Sequence, residues 1–316
     1  MKNTEEMVVL FTIVLVGWLC GKLGYMGGDF DKKLSVLVID VTCPALILSS
    51  TMCGTLPDRH LILPLLGLSL LTYILLAFAA WTLPRLLTRH VDDRGVVGFA
   101  LMFGNVGFIG YPIVDSIFGH EAVFYTAVLN VVNTFAVFTV GTMLLTKGAE
   151  GGMDAMDSPL PHSKRGWAKL LLSTPMLAAY LAMLIVAFGL EGIPSVVSAP
   201  LTLIGGMTVP AALLIIGSSM SRLSLRTLLG HSTVYATALF RLIVLPLSLL
   251  ALFRLLGFDA LPVSINTVVI AMPVATYGTI LCLKMGRDTT LITELTFITT
   301  LLSIITIPLI AMVVRG

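Results

Sequence analysis

The feature that most constrains this chain is a series of apolar runs, each long enough to cross a membrane. Crossing takes about 20 apolar residues in a helix. Only 11% of the residues are charged, whereas soluble domains carry about a quarter. We therefore predict an all-α polytopic membrane protein with ten transmembrane helices. The ten runs are 7–25, 34–53, 61–87, 95–118, 121–146, 167–190, 196–220, 232–257, 262–284 and 289–314.

Lysine and arginine are distributed unevenly between the connections, and this sets the orientation. With the N-terminus outside, the cytoplasmic connections hold 14 of these residues and the outer side holds 4, as the positive-inside rule requires. We predict both termini outside a plasma membrane, in bacteria the inner membrane. Met1–Glu6 is too short and too acidic for the leader of a cleaved signal peptide, so the first span is expected to stay. The net charge of +2 does not suggest a nucleic-acid partner.

Two halves of five spans each are indicated by a polar stretch and by matching prolines. The stretch is rich in Gly, Ser, Asp and Pro, and it predicts a cytoplasmic linker at 147–166 between repeats at 1–146 and 167–316. Pro44 in span 2 matches Pro210 in span 7, and Pro112 in span 4 matches Pro273 in span 9. Because each half has an odd number of spans, the halves run in opposite directions, as in inverted-repeat secondary transporters.

The stretch "GNVGFIGYP" places helix breakers in the middle of span 4. Pro112 lacks an N–H, and Gly104, Gly107 and Gly110 add torsional freedom. Unwound backbone at membrane depth is tolerated only inside protein or beside a water-filled cavity. With Pro273 breaking span 9, we predict two broken helices that cross and form a central site for a small anion or an ion. The alternative is a glycine-lined packing face with a proline kink.

Polar residues near these breaks complete the predicted substrate site. Asn130 and Asn133 share a face of span 5, where their amides can grip a carboxylate or join helices. Tyr111 and Tyr277 flank the breaks and can offer hydroxyls to substrate or simply pack. The predicted site residues are Gly104, Asn105, Gly107, Gly110, Tyr111, Pro112, Asn130, Asn133, Met272, Pro273, Tyr277 and Pro44.

Ionisable residues inside spans are candidates for ion coupling because burying them in lipid is costly. Asp40, Asp115 and Glu294 are the candidates for a coupling ion or proton, with structural roles as the alternatives: an interfacial carboxylate, a helix-dipole partner and an ion pair. Arg241, deep in span 8, can clamp a carboxylate, but a snorkelling or paired side chain is favoured.

Other potential ligands give weaker signals. The five histidines fall in loops or at span ends and are expected to be solvated. No cysteine spacing or other motif predicts a bound metal or cofactor. The coupling ion is left open between a proton and a sodium ion, since threonines such as Thr276 and Thr279 lie near the second break.

Four motifs in order resemble the signatures of the auxin efflux carrier family, whose bacterial members include malate and malonate permeases. They are "VTCPALIL", "GNVGFIGYPIVDSIFG", "VPAALLIIGSSM" and "AMPVATYGTILCLKMGRD". The resemblance covers nearly the whole chain. It implies two inverted five-helix repeats, a scaffold of helices 1, 2, 6 and 7, and a mobile transport domain of helices 3–5 and 8–10 with broken helices 4 and 9 crossing inside it. It also implies elevator-like movement and a homodimer.

These observations together predict a secondary active transporter for a small organic anion, such as malate, malonate or an auxin-like acid. The lipid bilayer and the anion are its expected partners. A channel or membrane sensor on the same scaffold is the alternative, although no signalling domain and no extended polar stripe is evident. An enzyme is not expected, because metalloprotease, nucleophile-elbow and aspartyl-protease motifs do not occur in the sequence.

Overall fold

The computed structural model describes residues 2–52, 57–146, 172–190, 193–221, 232–284 and 287–315, and these residues are almost entirely helical. Within these ranges no β-strand forms, and the nearest thing to one is an isolated bridge between Gly104 and Val274. The predicted linker at 147–166 lies outside the described residues. Five helical segments are long and apolar enough to cross a membrane, namely Arg59–Leu87, Glu121–Thr146, Ser195–Ser218, Ser232–Leu255 and Thr290–Arg315.

Shorter helices fill the remaining apolar runs. Some of them are also apolar, at Thr12–Lys22, Val106–Phe118, Thr174–Phe188 and Ala260–Ile270. A broken span contributes two short helices in place of one long helix. Neither of the short helices is long enough to cross a membrane by itself. The fold is therefore that of an all-helical, multi-pass membrane protein, while the arrangement of ten spans in two inverted repeats stays a prediction.

The α-helices of the first half are the following, in chain order. They are α1 (Lys2–Lys22), α2 (Gly28–Leu37), α3 (Cys43–Ser49), α4 (Ile62–Thr82), α5 (Pro84–Leu87), α6 (Asp93–Met102), α7 (Tyr111–Phe118), α8 (Glu121–Ala136) and α9 (Thr142–Thr146). Those of the second half are α10 (Thr174–Phe188), α11 (Ser195–Gly206), α12 (Thr208–Ser221), α13 (Ser232–Leu239), α14 (Leu245–Leu255), α15 (Ala260–Ile270), α16 (Tyr277–Lys284) and α17 (Thr290–Arg315).

Several prolines are accommodated by a wide helical turn and do not break their helix. A proline removes one N–H and crowds the carbonyl four residues earlier, and a π-helical turn, with its longer hydrogen-bonded loop, relieves that crowding. The pairs of π-turn and following proline are Val38–Thr42 with Pro44, Val106–Gly110 with Pro112, and Phe240–Val244 with Pro246.

The helix of span 4 is interrupted earlier than the proline suggested. After α6 the chain is extended at Phe103, and helical geometry resumes at Val106. We call residues 103–105 the first break. In span 9 the interruption covers 271–276, between α15 and α16, and includes Pro273. We call these residues the second break. The expectation that Pro112 itself unwinds span 4 is thus wrong, because the π-turn at Val106–Gly110 carries the helix past Pro112 without an interruption.

The described residues group into two compact units, and each unit takes segments from both halves of the sequence. The first unit comprises described residues within Met1–Leu65, Val106–Val128 and Leu172–Leu225. It contains the segments predicted for the scaffold and, in addition, residues 106–128. The second unit comprises those within Leu66–Asn105, Leu129–Leu171 and Arg226–Gly316.

Close helix packing in the first unit depends on glycines that face backbone. A side-chain carbon on Gly17 of α1 would overlap the backbone of Leu214 in α12, and one on Gly217 would overlap the backbone of Val14. These two helices therefore touch through backbone atoms, which is the usual way that helices pack in lipid. In α11, Gly205 similarly lies against Leu46 of α3.

Candidate functional site

The two breaks meet inside the second unit and complete each other's hydrogen bonds. The backbone N–H of Asn105 donates to the carbonyl of Pro273 over 2.8 Å, and the N–H of Ala275 donates to the carbonyl of Phe103 over 3.1 Å. Backbone groups buried away from water need partners, and here each break supplies them to the other. We call this pair of segments the crossing.

Arg241 is the most deeply buried charge at the crossing. Its side chain is 1% exposed. Nε donates to the carbonyl of Met272 over 3.1 Å, and Nη1 donates to the carbonyl of Leu101 over 3.0 Å. Both carbonyls lie where a helix runs into its break, and a cation at the C-terminal end of a helix complements the helix dipole.

This geometry corrects the favoured reading of Arg241 as a snorkelling or paired residue. The side chain does not reach the surface, and among the described residues no carboxylate lies within ion-pair distance of it. Neutral carbonyl oxygens hold the guanidinium, so its positive charge is not cancelled by a protein carboxylate there. A buried charge left in this state favours an anion nearby.

Gly104 is required where the guanidinium passes the first break. A side-chain carbon at this position would overlap Arg241 Nη2, and it would lie 3.2 Å from both Cβ and the backbone oxygen of Met272. At Gly107, in contrast, an added carbon would meet nothing within 4 Å. Of these two glycines in the motif, Gly104 is the one whose missing side chain lets the crossing close.

The side chain of Asn105 is available for a ligand. It is only 7% exposed, yet it forms no hydrogen bond with any residue in the described ranges. A buried amide normally satisfies its donors and acceptors. Asn105 therefore brings an amide with unused hydrogen-bonding capacity to the crossing, which is the property expected of a residue that binds substrate.

Asn130 and Asn133 belong to a chain of polar side chains beside the first break. Tyr73 donates its hydroxyl to Asn133 Oδ1 over 2.8 Å, and Asn133 Nδ2 donates to Asn130 Oδ1 over 2.8 Å. The ring of Tyr73 stacks on that of Phe103, with centroids 6.2 Å apart. Asn133 is thus committed to holding its neighbours, and Asn130 is half-buried.

Two polar residues of the second unit support the crossing and were missed in the sequence. The hydroxyl of Thr299 in α17 accepts a hydrogen bond from the backbone N–H of Val274 over 3.0 Å. Asn266 in α15 is buried and donates to Thr72 Oγ1 over 2.9 Å. An asparagine in the apolar run "VSINTVVI" was the available signal for the second residue.

The remaining predicted substrate residues divide between the units. Met272 and Pro273 are buried at the crossing, and Tyr277 begins α16 in the same unit with an exposed side chain. The residues that belong to the first unit are Gly107, Gly110, Tyr111, Pro112 and Pro44. Tyr111, Pro112 and Pro44 are buried there, and Cys43 Sγ lies 3.7 Å from the carbonyl of Gly107.

The carboxylates differ in burial. Asp40 lies on the π-turn before Pro44 and is exposed, which agrees with the alternative of an interfacial carboxylate. The buried carboxylate of the first unit is Asp31, whose Oδ2 accepts a hydrogen bond from Ser218 over 2.7 Å. Glu294 is half-buried in α17. No group of three or more possible metal ligands forms in the part of the chain that the structure describes.

Asp115 has a specific partner, and that partner corrects the expectation of solvated histidines. His120 Nδ1 lies 3.0 Å from Asp115 Oδ1. The other ring nitrogen, Nε2, lies 2.9 Å from Ser49 Oγ. Both ring nitrogens are therefore engaged by side chains, and the three residues come from different parts of the first unit. Sequence spacing gave no sign of Ser49, which precedes His120 by 71 positions.

Comparison with known proteins places these features in a family. The family described as membrane transport protein matches residues 3–311. An uncharacterized transporter of Methanothermobacter thermautotrophicus is 27% identical over 98% of this chain and 97% of its own length. An uncharacterized transporter of Methanocaldococcus jannaschii is 26% identical over 96% of both chains. The chain is therefore a membrane transporter of the auxin efflux carrier family.

Proposed function

We propose that this transporter moves a small organic anion, a mono- or dicarboxylate, across the plasma membrane. The observation that carries the proposal is Arg241, which is buried at the crossing, donates to two backbone carbonyls and has no carboxylate within ion-pair distance among the described residues. An uncancelled positive charge raises the affinity of its surroundings for an anion and lowers it for a cation. Asn105 adds amide donors that suit a carboxylate oxygen.

The same geometry favours a carrier over a pore. In the second unit, the breaks bond directly to each other through backbone groups. Thr299 adds a third buried hydrogen bond to this contact. A crossing that is closed by backbone contacts suits a site that moves with its substrate, as in an elevator mechanism, better than a continuous water-filled path. Transport as a homodimer, coupled to a proton or a sodium ion, completes the proposal.

Reconstituted protein tests the substrate class. Purified protein in proteoliposomes would be given labelled malonate, malate and indole-acetate, with sodium and pH gradients imposed separately. We expect saturable, gradient-dependent uptake of at least one of these acids. An absence of saturable flux for all carboxylates would contradict the proposal, and single-channel conductance far above carrier turnover would support a channel.

Asn105→Ala ties the transport result to the crossing. We expect it to abolish uptake while the protein keeps near-normal expression and thermal stability, because the Asn105 side chain forms no hydrogen bond that folding needs. Asn266→Ala is the matched variant, since it removes another buried amide that is bonded to Thr72. It should lower stability by about 1–3 kcal/mol, the cost of leaving a buried partner unsatisfied. Full transport by Asn105→Ala would show that the substrate binds elsewhere.

A further inference from the structure

One histidine of the first unit is held at both ring nitrogens. His120 lies in the turn between α7 and α8, with Nδ1 3.0 Å from Asp115 Oδ1 and Nε2 2.9 Å from Ser49 Oγ. The Ser49 hydroxyl also lies 3.0 Å from the carbonyl oxygen of Leu46. The cluster therefore joins α3, α7 and the following turn through hydrogen bonds that depend on where the protons are.

Counting donors shows that the cluster accommodates two protonation states. An ionised carboxylate only accepts, so Nδ1 of His120 carries a hydrogen toward Asp115. When Nε2 carries no hydrogen, it accepts from the Ser49 hydroxyl. When Nε2 is protonated, it donates to Ser49 Oγ, and the hydroxyl hydrogen turns to the carbonyl of Leu46. Rotating one O–H bond is enough to satisfy both states, and no heavy atom has to move.

The same atoms resemble a serine hydrolase triad, but their exposure argues against nucleophilic chemistry. Ser49 is 0% exposed, so a substrate carbonyl cannot reach its oxygen at the distance that attack requires. The side chains of His120 and Asp115 are 34% and 24% exposed. Water can reach the imidazole while the serine stays covered, and this arrangement suits proton exchange.

A carboxylate and a phenol lie next to His120 in the hydrogen-bond network. Glu121 follows it in the chain, and its Oε1 accepts a hydrogen bond from the hydroxyl of Tyr125 over 2.6 Å. The same hydroxyl accepts from the backbone N–H of Asp58 over 3.0 Å. Within the described residues, the one ion pair that His120 makes is with Asp115. Arg59 and His60 follow Asp58 in the chain, and both are exposed.

From this geometry we propose that the pair of His120 and Asp115 is the proton-binding site of the transport cycle. A proton from water on the predicted outer side forms a bond to Nε2, and the pair changes from one net negative charge to none. Release reverses the step and returns the proton to water. Imidazole is suited to this role because it exchanges its proton near neutral pH. The role of the pair in the transport cycle rests on the proposed gradient-driven transport. The binding of a proton to the pair does not depend on that proposal.

The proton has a direct structural consequence. When Nε2 is protonated, it donates a charge-assisted hydrogen bond to Ser49 Oγ, which is stronger than the bond between the neutral ring and the serine. Protonation therefore tightens the link between α3 and the turn that follows α7. Because α7 is the continuation of span 4 beyond the first break, proton occupancy acts on the helix that leads directly from that break.

Proton binding is tested without any substrate. Full-length protein with ¹⁵N-labelled histidine, in lipid nanodiscs, would be titrated by NMR of the imidazole nitrogens. We expect Asp115→Asn to change how the His120 nitrogen signals respond to pH, because it removes the carboxylate that Nδ1 contacts. His60→Gln serves as the matched control and should leave the His120 signals unchanged. His120 signals that respond to pH identically in the wild type and in Asp115→Asn would overturn the proposal.

Coupling is tested by comparing two modes of transport in proteoliposomes. In His120→Gln, uptake of labelled malonate driven by a pH gradient should fall at least about tenfold, a typical coupling factor between linked sites. Exchange of malonate for malonate without a gradient should be unchanged. An equal loss in both modes, or no loss in the driven mode, contradicts the coupling role. If wild-type protein moves no carboxylate in either mode, the proposed substrate class fails, and the NMR titration alone decides whether the proton site exists.

Discussion

The charges of Arg241 and of the His120–Asp115 pair are held in opposite ways. Arg241 is permanently charged, almost completely buried and bonded to carbonyls that cannot titrate. The His120–Asp115 pair is partly exposed, and its charge depends on one exchangeable proton. The first arrangement provides a constant field for an anion, while the second responds to the solution. The proposed proton-coupled carrier needs both properties, and the residues proposed to supply them lie in different units.

The energetic consequences of the two arrangements also differ. Water can replace a partner that is lost by a partly exposed histidine, so the cost of losing it is small. The carbonyls that Arg241 satisfies belong to the buried residues Leu101 and Met272, so water cannot easily replace the lost donor. Unsatisfied buried groups carry their full desolvation cost. Substitutions at the crossing should therefore reduce both stability and transport. Substitutions at the histidine pair should mainly change the dependence on pH.

The largest effect is expected from Arg241→Met. The variant leaves the carbonyls of Leu101 and Met272 without donors and removes the charge proposed to attract the anion. We expect a loss of stability of about 3 kcal/mol, at the upper end of ordinary point substitutions, together with loss of uptake. Thermal unfolding in detergent and flux in proteoliposomes measure the two effects.

Arg254→Met is the matched control for this prediction. Arg254 also donates to a backbone carbonyl, that of Val314, over 3.3 Å, but its side chain is exposed. Its substitution should cost no more than about 0.5 kcal/mol, as for most surface changes. Equal losses in Arg241→Met and Arg254→Met would show that burial at the crossing does not distinguish them.

A smaller effect is expected from Gly104→Ala. The new methyl group would overlap Arg241 Nη2 and press on Met272, so the crossing has to open slightly. Overpacking of this kind costs about 1–3 kcal/mol. Transport should fall strongly, because the carbon enters the closed contact between the breaks.

Gly107→Ala gives the comparison within the same motif. An added carbon there meets nothing within 4 Å, and Ala should be accepted with transport and stability close to wild type. Similar losses at Gly104 and Gly107 would indicate that general flexibility of the motif matters more than the space beside Arg241. Only a loss confined to Gly104→Ala agrees with the structure.

Much of the fold could be predicted because membrane helices require long apolar runs, which are easily recognised in a sequence. Apolar runs indicated the helices, and the clusters of glycine and proline indicated that spans 4 and 9 are interrupted. The exact unwound residues could not be predicted. A π-turn absorbs Pro112, and the interruption lies at 103–105, where only Gly104 belongs to the group of breakers.

The site was harder to predict because its partners are distant in sequence. The carbonyls that hold Arg241 lie 140 and 31 positions away, and backbone carbonyls carry no sequence signal at all. The burial of Asp31 had no sequence signal either, because its partner Ser218 is 187 positions away. Asn105, in contrast, was predicted from chemistry alone, since an amide inside a break has few structural uses, and its role in binding stays a prediction.

The smallest effect is expected from Ser49→Ala, and it separates structural from proton-linked roles at the histidine. The variant removes one hydrogen-bond partner of His120 Nε2, but the ring is 34% exposed and water can take the place of the serine. Stability should fall by no more than about 1 kcal/mol, the net value of one hydrogen bond. Proton-driven uptake should persist, because the carboxylate of Asp115, which stabilises the protonated ring through Nδ1, is unchanged. Complete loss of driven uptake in Ser49→Ala, with folding preserved, would instead make the serine essential and would assign proton binding to the whole cluster.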